Sequence, residues 1–204
     1  MEWQNWYHLL AEQLKETTIL QWIAVSLGVA EVLLARVNNV WLYPTGIAGI
    51  LLSMVLLVEA RLYAECLLNV YYVVMSVYGW IYWYRKKNEP PVKISYSTRQ
   101  EWLITLAIVF GGWVILYLAL KHFTDSDVPL IDAWVSSAAW AGMWLLARRK
   151  MENWILLNIS NFFAVPLLFH KKLPLFALLT IFLFIIAILG YREWKKLYRQ
   201  ERTI

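Results

Sequence analysis

One stretch of the chain, from Asn153 to Asn161, combines an aromatic ring with two amides inside a long apolar run that ends near His170. Trp154, Asn158 and Asn161 are spaced i, i+4 and i+7, which places them on one face of a helix. An amide in hydrocarbon is unfavourable unless it is hydrogen-bonded. Two amides on one face therefore indicate a helix that faces a bundle interior or a wet path rather than lipid.

Polar, charged and aromatic side chains also interrupt other apolar segments, and such groups at membrane depth are read first as functional. Together they offer flat π faces, amides that donate and accept, and one carboxylate. This chemistry predicts a site for a small molecule with a positively charged aromatic ring. Besides the three residues above, the candidate binding residues are Glu31, Asn69, Tyr72, Ser76, Trp80, Trp140, Met143 and Trp144.

Each of these features also has a structural explanation. Trp154 lies near the end of its segment, where an interfacial aromatic belt would place it. Asn69 and Asn158 could simply hydrogen-bond one helix to another. Glu31 could be a protonated packing residue, or its carboxylate could pair with Arg36.

The composition defines the class of protein. Of 204 residues, 61% are hydrophobic, against about 45–50% in soluble domains, which predicts an all-α integral membrane protein. A single cysteine, Cys66, excludes an intrachain disulfide, and His8, His122 and His170 lack metal-ligand spacing. No nucleotide-binding motif and no converging pair of reactive groups occurs, so we expect no cofactor, no metal and no enzymatic activity.

Hydropathy predicts an N-terminal helix and seven membrane-spanning segments. Residues 1–18 form an amphipathic pattern that predicts a helix in the membrane interface, with a frayed tail as the alternative. A single transmembrane domain follows over residues 19–192, and residues 193–204 form a basic tail. The predicted segments, each near the ~20 residues that cross a bilayer, are 19–37, 40–58, 63–84, 102–121, 131–148, 153–170 and 173–191.

The distribution of lysine and arginine predicts the orientation. With seven crossings, fourteen of the nineteen basic residues fall on the side of the C-terminus and five on the side of the N-terminus. Because basic residues are enriched in cytoplasmic loops, the C-terminus is predicted to be cytoplasmic and the N-terminus external. The net charge of +5 is thus a topology signal and indicates no nucleic-acid partner.

Segments 1–3 and 5–7 look like two copies of one unit. Leu-Leu-Ala-Arg occurs at 33–36 and again at 145–148, and a tryptophan follows each, at Trp41 and Trp154. Residues 61–83 also align without a gap on 172–194, matching Gly79 with Gly190 and Trp83 with Trp194. Chance similarity among apolar helices is the alternative.

Three helices per copy and one linking helix make a parallel 3+1+3 repeat, an architecture of transporters that hold substrate between the halves. The predicted units are repeat 1 at 19–84, the linker helix at 102–121 and repeat 2 at 131–191.

Five short motifs, spread over nearly the whole domain, resemble those of the Pnu vitamin transporters, whose best-known members carry nicotinamide riboside. They are Tyr43-Pro44-Thr45-Gly46, Leu62-Tyr63-Ala64-Glu65, Tyr78-Gly79-Trp80, Glu152-Asn153-Trp154 and Gly190-Tyr191-Arg192-Glu193-Trp194.

The resemblance implies a bacterial inner-membrane protein with seven helices in a 3+1+3 arrangement similar to that of the SWEET transporters. It implies a homotrimer with one path per protomer. It further implies facilitated diffusion, made one-way by a cytoplasmic kinase that phosphorylates the vitamin. The binding region on the family's sixth transmembrane helix matches Trp154, Asn158 and Asn161.

Three positions depart from nicotinamide riboside members. Leu157 stands in place of a second tryptophan, Met143 in place of a frequent glutamine, and Glu31 in place of a common tyrosine. Nicotinamide riboside remains the first expectation, and thiamine or riboflavin, which related members carry, is the alternative. A SWEET-type sugar carrier is another reading. A membrane enzyme or sensor would need a reacting pair, and none converges in the sequence.

Overall fold

The computed structural model describes residues 2–59, 63–84, 93–124 and 126–201, and every regular element in these ranges is a helix. The predicted turn at Arg61 and Leu62, the Pro90-Pro91 loop and Asp125 lie outside the described residues. The helices are α1 (Glu2–Glu16), α2 (Ile19–Arg36), α3 (Leu42–Glu59), α4 (Tyr63–Tyr84), α5 (Arg99–Phe123), α6 (Pro129–Ala147), α7 (Asn153–His170) and α8 (Pro174–Gln200).

These bounds agree with the predicted segments to within a few residues, except that α8 continues through most of the predicted basic tail. In the described ranges, six helices are long and apolar enough to cross a membrane, namely α2, α3 and α5 to α8. The protein is therefore a multi-pass membrane protein. Helix α4 has 22 residues, but six are tyrosine and two are tryptophan, which lowers its mean hydropathy. A seventh crossing by α4 stays a prediction.

Local sequence signals explain where the helices begin and end. Thr18 and Thr98 form capping boxes at the starts of α2 and α5. Helices α6 and α8 begin with a proline, whose missing N–H has no helical partner at that position. After α2, α6 and α7 the chain turns through Asn38, Arg149 and Lys172, which adopt left-handed φ values of 57°, 56° and 57°.

The helices pack as two groups. We call α2–α4 the first half and α6–α8 the second half, and within each half helices that are consecutive in the chain pack together. The halves meet where α4 packs against α6 and where α8 packs against α2. Helix α5 packs against α6, and α1 is held near α8 by Gln13, whose amide donates to the Lys172 carbonyl at 2.8 Å and accepts from the Leu175 N–H at 3.1 Å.

A polar strap fixes the start of α7. The Ser95 N–H donates to the Arg149 carbonyl at 3.2 Å, and the Met151 N–H donates to the Ser95 carbonyl at 3.0 Å. The Lys150 ammonium lies 2.9 Å from the Glu101 carboxylate. The connection from α6 to α7 is thereby tied to the first turn of α5. We call this end of the molecule, which also holds Arg36 and the end of α8, the basic end.

Matched contacts occur in the two halves. The Tyr43 ring lies against Gly79 and packs edge-on against Trp83, with centroids 5.1 Å apart. The Trp154 ring lies against Gly190 and packs edge-on against Trp194, with centroids 5.6 Å apart.

The structural counterpart of Trp154 is therefore Tyr43. Trp41, which the sequence comparison had paired with Trp154, is 65% exposed. The offset of 111 residues that aligns 61–83 with 172–194 also aligns Tyr43 with Trp154.

Several hydrogen bonds cross between the halves at the basic end, and three of them join matching positions. The Trp83 indole donates to the Ala147 carbonyl at 3.1 Å, and the Trp194 indole donates to the Ala35 carbonyl at 2.9 Å. Both alanines belong to the Leu-Leu-Ala-Arg motifs. The guanidinium Nε of Arg149 donates to the side-chain oxygen of Asn38 at 2.9 Å. Each half thus bonds the other through equivalent positions.

Candidate functional site

The three predicted residues on α7 have different surroundings. Trp154 is 1% exposed and belongs to the core at the basic end, and its indole N–H has no hydrogen-bond partner among the described residues. The buried side-chain oxygen of Asn158 likewise has none. Asn161 is half-buried. Nearby Ser160 is satisfied, because its hydroxyl donates to the Val135 carbonyl of α6 at 2.8 Å.

Helix α4 contributes polar side chains to the region where it packs against α6. Ser76 is fully buried, and no described residue bonds its hydroxyl oxygen. Asn69 and Tyr72 are half-buried. The ring of Tyr72 packs edge-on against its neighbour Tyr71 at a centroid distance of 6.1 Å. The predicted face of α4 is therefore directed at least partly inward.

Trp140 on α6 joins the two halves. Its ring stacks on Tyr71 of α4, with centroids 4.5 Å apart and planes 22° apart, and the Tyr71 hydroxyl donates to the Trp140 carbonyl at 3.0 Å. The indole N–H of Trp140 is buried without a partner among the described residues. Trp144 and Met143 instead pack against apolar clusters, the first beside Leu156 and the second beside Trp154.

Glu31 on α2 lies against Gly46 of α3, where a side chain larger than hydrogen would overlap the carboxylate. The carboxylate is within electrostatic reach of the hydroxyl groups of Tyr43 and Tyr72. It does not pair with Arg36, because that guanidinium lies 3.8 Å from Glu193 on α8. A carboxylate within electrostatic reach of two phenols has the charge to balance a cationic ligand.

Trp80 is more exposed than these residues. It is 40% exposed near the end of its helix, where an aromatic ring at the membrane interface is expected. Of the predicted residues, the structure brings Glu31 and Tyr72 within electrostatic reach of each other, and sets Trp140 where α4 meets α6.

Sequence reasoning missed Tyr43 and Tyr71. The hydroxyl oxygen of Tyr43 is buried with no partner among the described residues, and Tyr71 supplies the ring that stacks on Trp140. The repeat offset could have identified Tyr43, because it aligns that residue with Trp154. No sequence pattern marks Tyr71, which lies beside Tyr72 on α4.

Arg149 lies near Tyr43 at the basic end. Its guanidinium carbon lies 4.1 Å from the centre of the Trp83 ring. Burial lowers the pKa of the Arg149 guanidinium, but such a group stays protonated in proteins. This half-buried cation would repel a second cation, so a cationic ligand is better placed toward Glu31.

The described candidate residues offer hydrogen-bond donors and acceptors, which suit a polar molecule. Buried atoms that lack partners cost free energy until something bonds them. Among the described residues no group of three His, Cys, Asp or Glu side chains could hold a metal. The buried polar atoms without a partner among the described residues include Tyr43 Oη, Ser76 Oγ, Trp140 Nε1, Trp154 Nε1 and Asn158 Oδ1.

Comparison with known proteins identifies relatives over almost the whole chain. The protein named nicotinamide riboside transporter PnuC of Escherichia coli (strain K12) is 24% identical, covering 86% of this chain and 85% of that protein. The protein of the same name from Shigella flexneri gives the same values. A crystal structure of the vitamin B3 transporter PnuC shares the fold, with a TM-score of 0.71 and 21% identity over 96% of this chain and 88% of that one.

The family profile described as nicotinamide mononucleotide transporter matches residues 18–196. Because that match covers most of the chain, this protein belongs to the nicotinamide mononucleotide transporter family, the Pnu family that the sequence motifs predicted.

Proposed function

We propose that this protein binds nicotinamide riboside and carries it across the membrane by facilitated diffusion. The observation that carries the proposal is the set of buried polar atoms without partners in a family of transporters. Nicotinamide riboside has a cationic ring, a carboxamide and ribose hydroxyls. These groups could satisfy Ser76, Trp140 and Asn158 while the Glu31 carboxylate balances the positive charge.

Thiamine is the second candidate, and one contact favours keeping it. The side chain of Leu157, at the position where nicotinamide riboside members carry tryptophan, packs against Gly142. This contact between α6 and α7 is therefore aliphatic, and it supplies no second indole for stacking. Thiamine also carries a cationic ring, so only direct binding measurements distinguish the two vitamins.

The test is calorimetric titration of nicotinamide riboside, and separately of thiamine, into the purified protein. Asn158→Leu should weaken vitamin binding by about fivefold or more, because a ligand group loses its partner. Trp140→Ala should weaken it by a similar factor through loss of a π face. Trp80→Ala is the matched control, since it removes an indole from the outer surface and should leave affinity unchanged.

Two outcomes would contradict the proposal. If thiamine binds and nicotinamide riboside does not, the substrate is wrong. If Asn158→Leu lowers the thermal stability of the protein and leaves affinity unchanged, Asn158 only joins helices.

We also infer that the two halves form the parallel 3+1+3 repeat, with α5 as the linker. The matched contacts of Tyr43 and Trp154 with their glycines support this reading, as do the reciprocal indole bonds to the opposite half. In this arrangement α4 also crosses the membrane, which brings the number of crossings to seven. Residues of the interface between α4 and α6 then lie between the repeats, where such transporters hold substrate.

The proposal also covers membrane location, orientation, oligomeric state and the enzyme that makes uptake one-way. The family supports a bacterial inner-membrane protein, and the basic residues support an external N-terminus and a cytoplasmic C-terminus. We infer a homotrimer with one path per protomer. A cytoplasmic kinase that phosphorylates the vitamin would make uptake one-way by removing the transported form.

A further inference from the structure

An open groove of about 680 Å³ runs between α7 and α8. Its walls are mostly apolar, and several of the wall side chains are well exposed, among them Ile155, Phe162 and Ile188. Trp154 and Asn158 are among the α7 residues that line this groove. This groove is separate from the contact between α4 and α6.

The groove ends in two cations. Arg192 and Lys195 line it at the basic end, and neither forms an ion pair with a described residue. The carboxylate of neighbouring Glu193 is turned to Arg36 and Lys196, at 3.8 Å and 3.9 Å. No carboxylate belongs to the described lining. The end of the groove at Arg192 and Lys195 is therefore positively charged, and the rest of the groove is apolar. We call the charged end the mouth of the groove.

The dimensions match one leaflet of a bilayer. Phe184, Ile188, Tyr191 and Lys195 are spaced along one face of α8. Lys195 is eleven positions after Phe184, so the groove follows the helix for roughly 16 Å. Half of a ~30 Å hydrocarbon core is about the same length.

We propose that this groove binds one anionic glycerophospholipid of the leaflet at the basic end. An acyl chain lies along the apolar walls, and the phosphate contacts Arg192 and Lys195. A lipid with a net negative headgroup is favoured, because two cations face one phosphate. The groove shares Trp154 and Asn158 with the residues offered to the vitamin, but the lipid test changes only Arg192, Lys195 and Ile188, which are not among those residues.

A second copy of the chain fits the groove less well. Copies in one membrane share the same orientation, so a neighbour would bring its own basic end to the level of Arg192 and Lys195. The two cations would then face further cations instead of a phosphate. A cationic vitamin is disfavoured at this mouth for the same reason.

The test is native mass spectrometry of the full-length protein, with phosphatidylglycerol and phosphatidylcholine of identical chains titrated separately. Arg192→Gln combined with Lys195→Gln should weaken phosphatidylglycerol binding roughly thirtyfold, from one headgroup attraction per residue. The matched control combines Lys93→Gln with Lys196→Gln, which removes two exposed cations of the basic end that do not line the groove. We expect the control to change binding less than threefold.

A third variant, Ile188→Trp, tests the groove itself. It keeps both cations and fills the apolar part of the groove, so phosphatidylglycerol binding should fall. Phosphatidylcholine binding should stay weak in every variant. Thermal unfolding of lipid-free samples checks that each variant is folded.

Equal losses in the charge pair and its control would overturn the proposal in favour of general attraction to a basic surface. Equal binding of both lipids would also overturn it. If Ile188→Trp instead dissociates an oligomer of lipid-free protein, a second copy occupies the groove and the lipid assignment is wrong.

Discussion

Replacing Gly190 by alanine tests the packing at the basic end. A Cβ atom at this position would lie 2.6 Å from one atom of the Trp154 ring and 2.7 Å from two others, whereas ordinary contacts begin near 3.4 Å. The ring has little room to retreat, because Trp154 is 1% exposed and packs edge-on against buried Trp194.

The magnitude follows from two opposing effects. Overpacking a well-packed core costs about 1–3 kcal/mol. Alanine in place of glycine within a helix returns roughly 0.5–1 kcal/mol. We therefore expect Gly190→Ala to lower the free energy of unfolding by about 1–2 kcal/mol.

The assay is thermal and denaturant unfolding in detergent, followed by tryptophan fluorescence. Gly111→Ala on α5 is the matched control, because a Cβ there meets nothing within 4 Å. That variant should be as stable as the wild type or slightly more stable. Gly79→Ala should repeat the loss in the first half, where the Cβ would lie 2.5 Å from the Tyr43 ring.

A rescue experiment makes the reasoning refutable. The ring atoms nearest Gly190 are those by which an indole exceeds a phenyl ring. Trp154→Phe in the Gly190→Ala background should therefore recover part of the lost stability. If Gly190→Ala is as stable as Gly111→Ala, or if the phenyl ring gives no recovery, the close approach is not what restricts this position.

Further predictions concern topology, energetics and the bonds between the halves. A reporter fused after Ile204 should read cytoplasmic and one fused before Met1 external; both ends on one side would contradict seven crossings. Uptake into liposomes should persist without a membrane potential or an ion gradient, whereas strict sodium or proton dependence that Glu31→Gln abolishes would make Glu31 a coupling residue. Trp83→Phe should lower the free energy of unfolding by about 1–3 kcal/mol, because it removes the described hydrogen bond to the Ala147 carbonyl. Trp194→Phe should cost less, because the Ala35 carbonyl still accepts from the Asn38 N–H at 3.0 Å; a larger loss in the Trp194 variant would contradict this reasoning.

Much of the fold follows from local sequence signals. Apolar runs of membrane length predict the helices to within a few residues, since length and hydropathy are local properties. Capping residues such as Thr18 and Thr98 mark helix starts for the same reason. The motifs from Tyr43 to Trp194 also sufficed to predict the family that the profile confirms.

The end of α8 shows where composition misleads. Residues 193–200 read as a basic tail, but they remain helical because Trp194 is buried against the first half. Hydropathy registers the charges of this stretch and cannot register a partner that lies on α2.

The surroundings of the candidate site residues depend on tertiary contacts. Helical spacing puts Trp154, Asn158 and Asn161 on one face, but it does not say what that face meets. Only the packed structure separates buried Trp154 from exposed Trp80, although both are tryptophans near segment ends.

The partners of charged and aromatic groups were likewise decided by the fold. Arg36 lies near Glu193, 157 positions along the chain, and not near Glu31 in its own helix. Tyr71 stacks on Trp140 across the contact between the halves. A sequence by itself determines which residues can cross a membrane and which faces they share; side-chain partners depend on how separate helices meet, because those contacts join residues far apart in the chain.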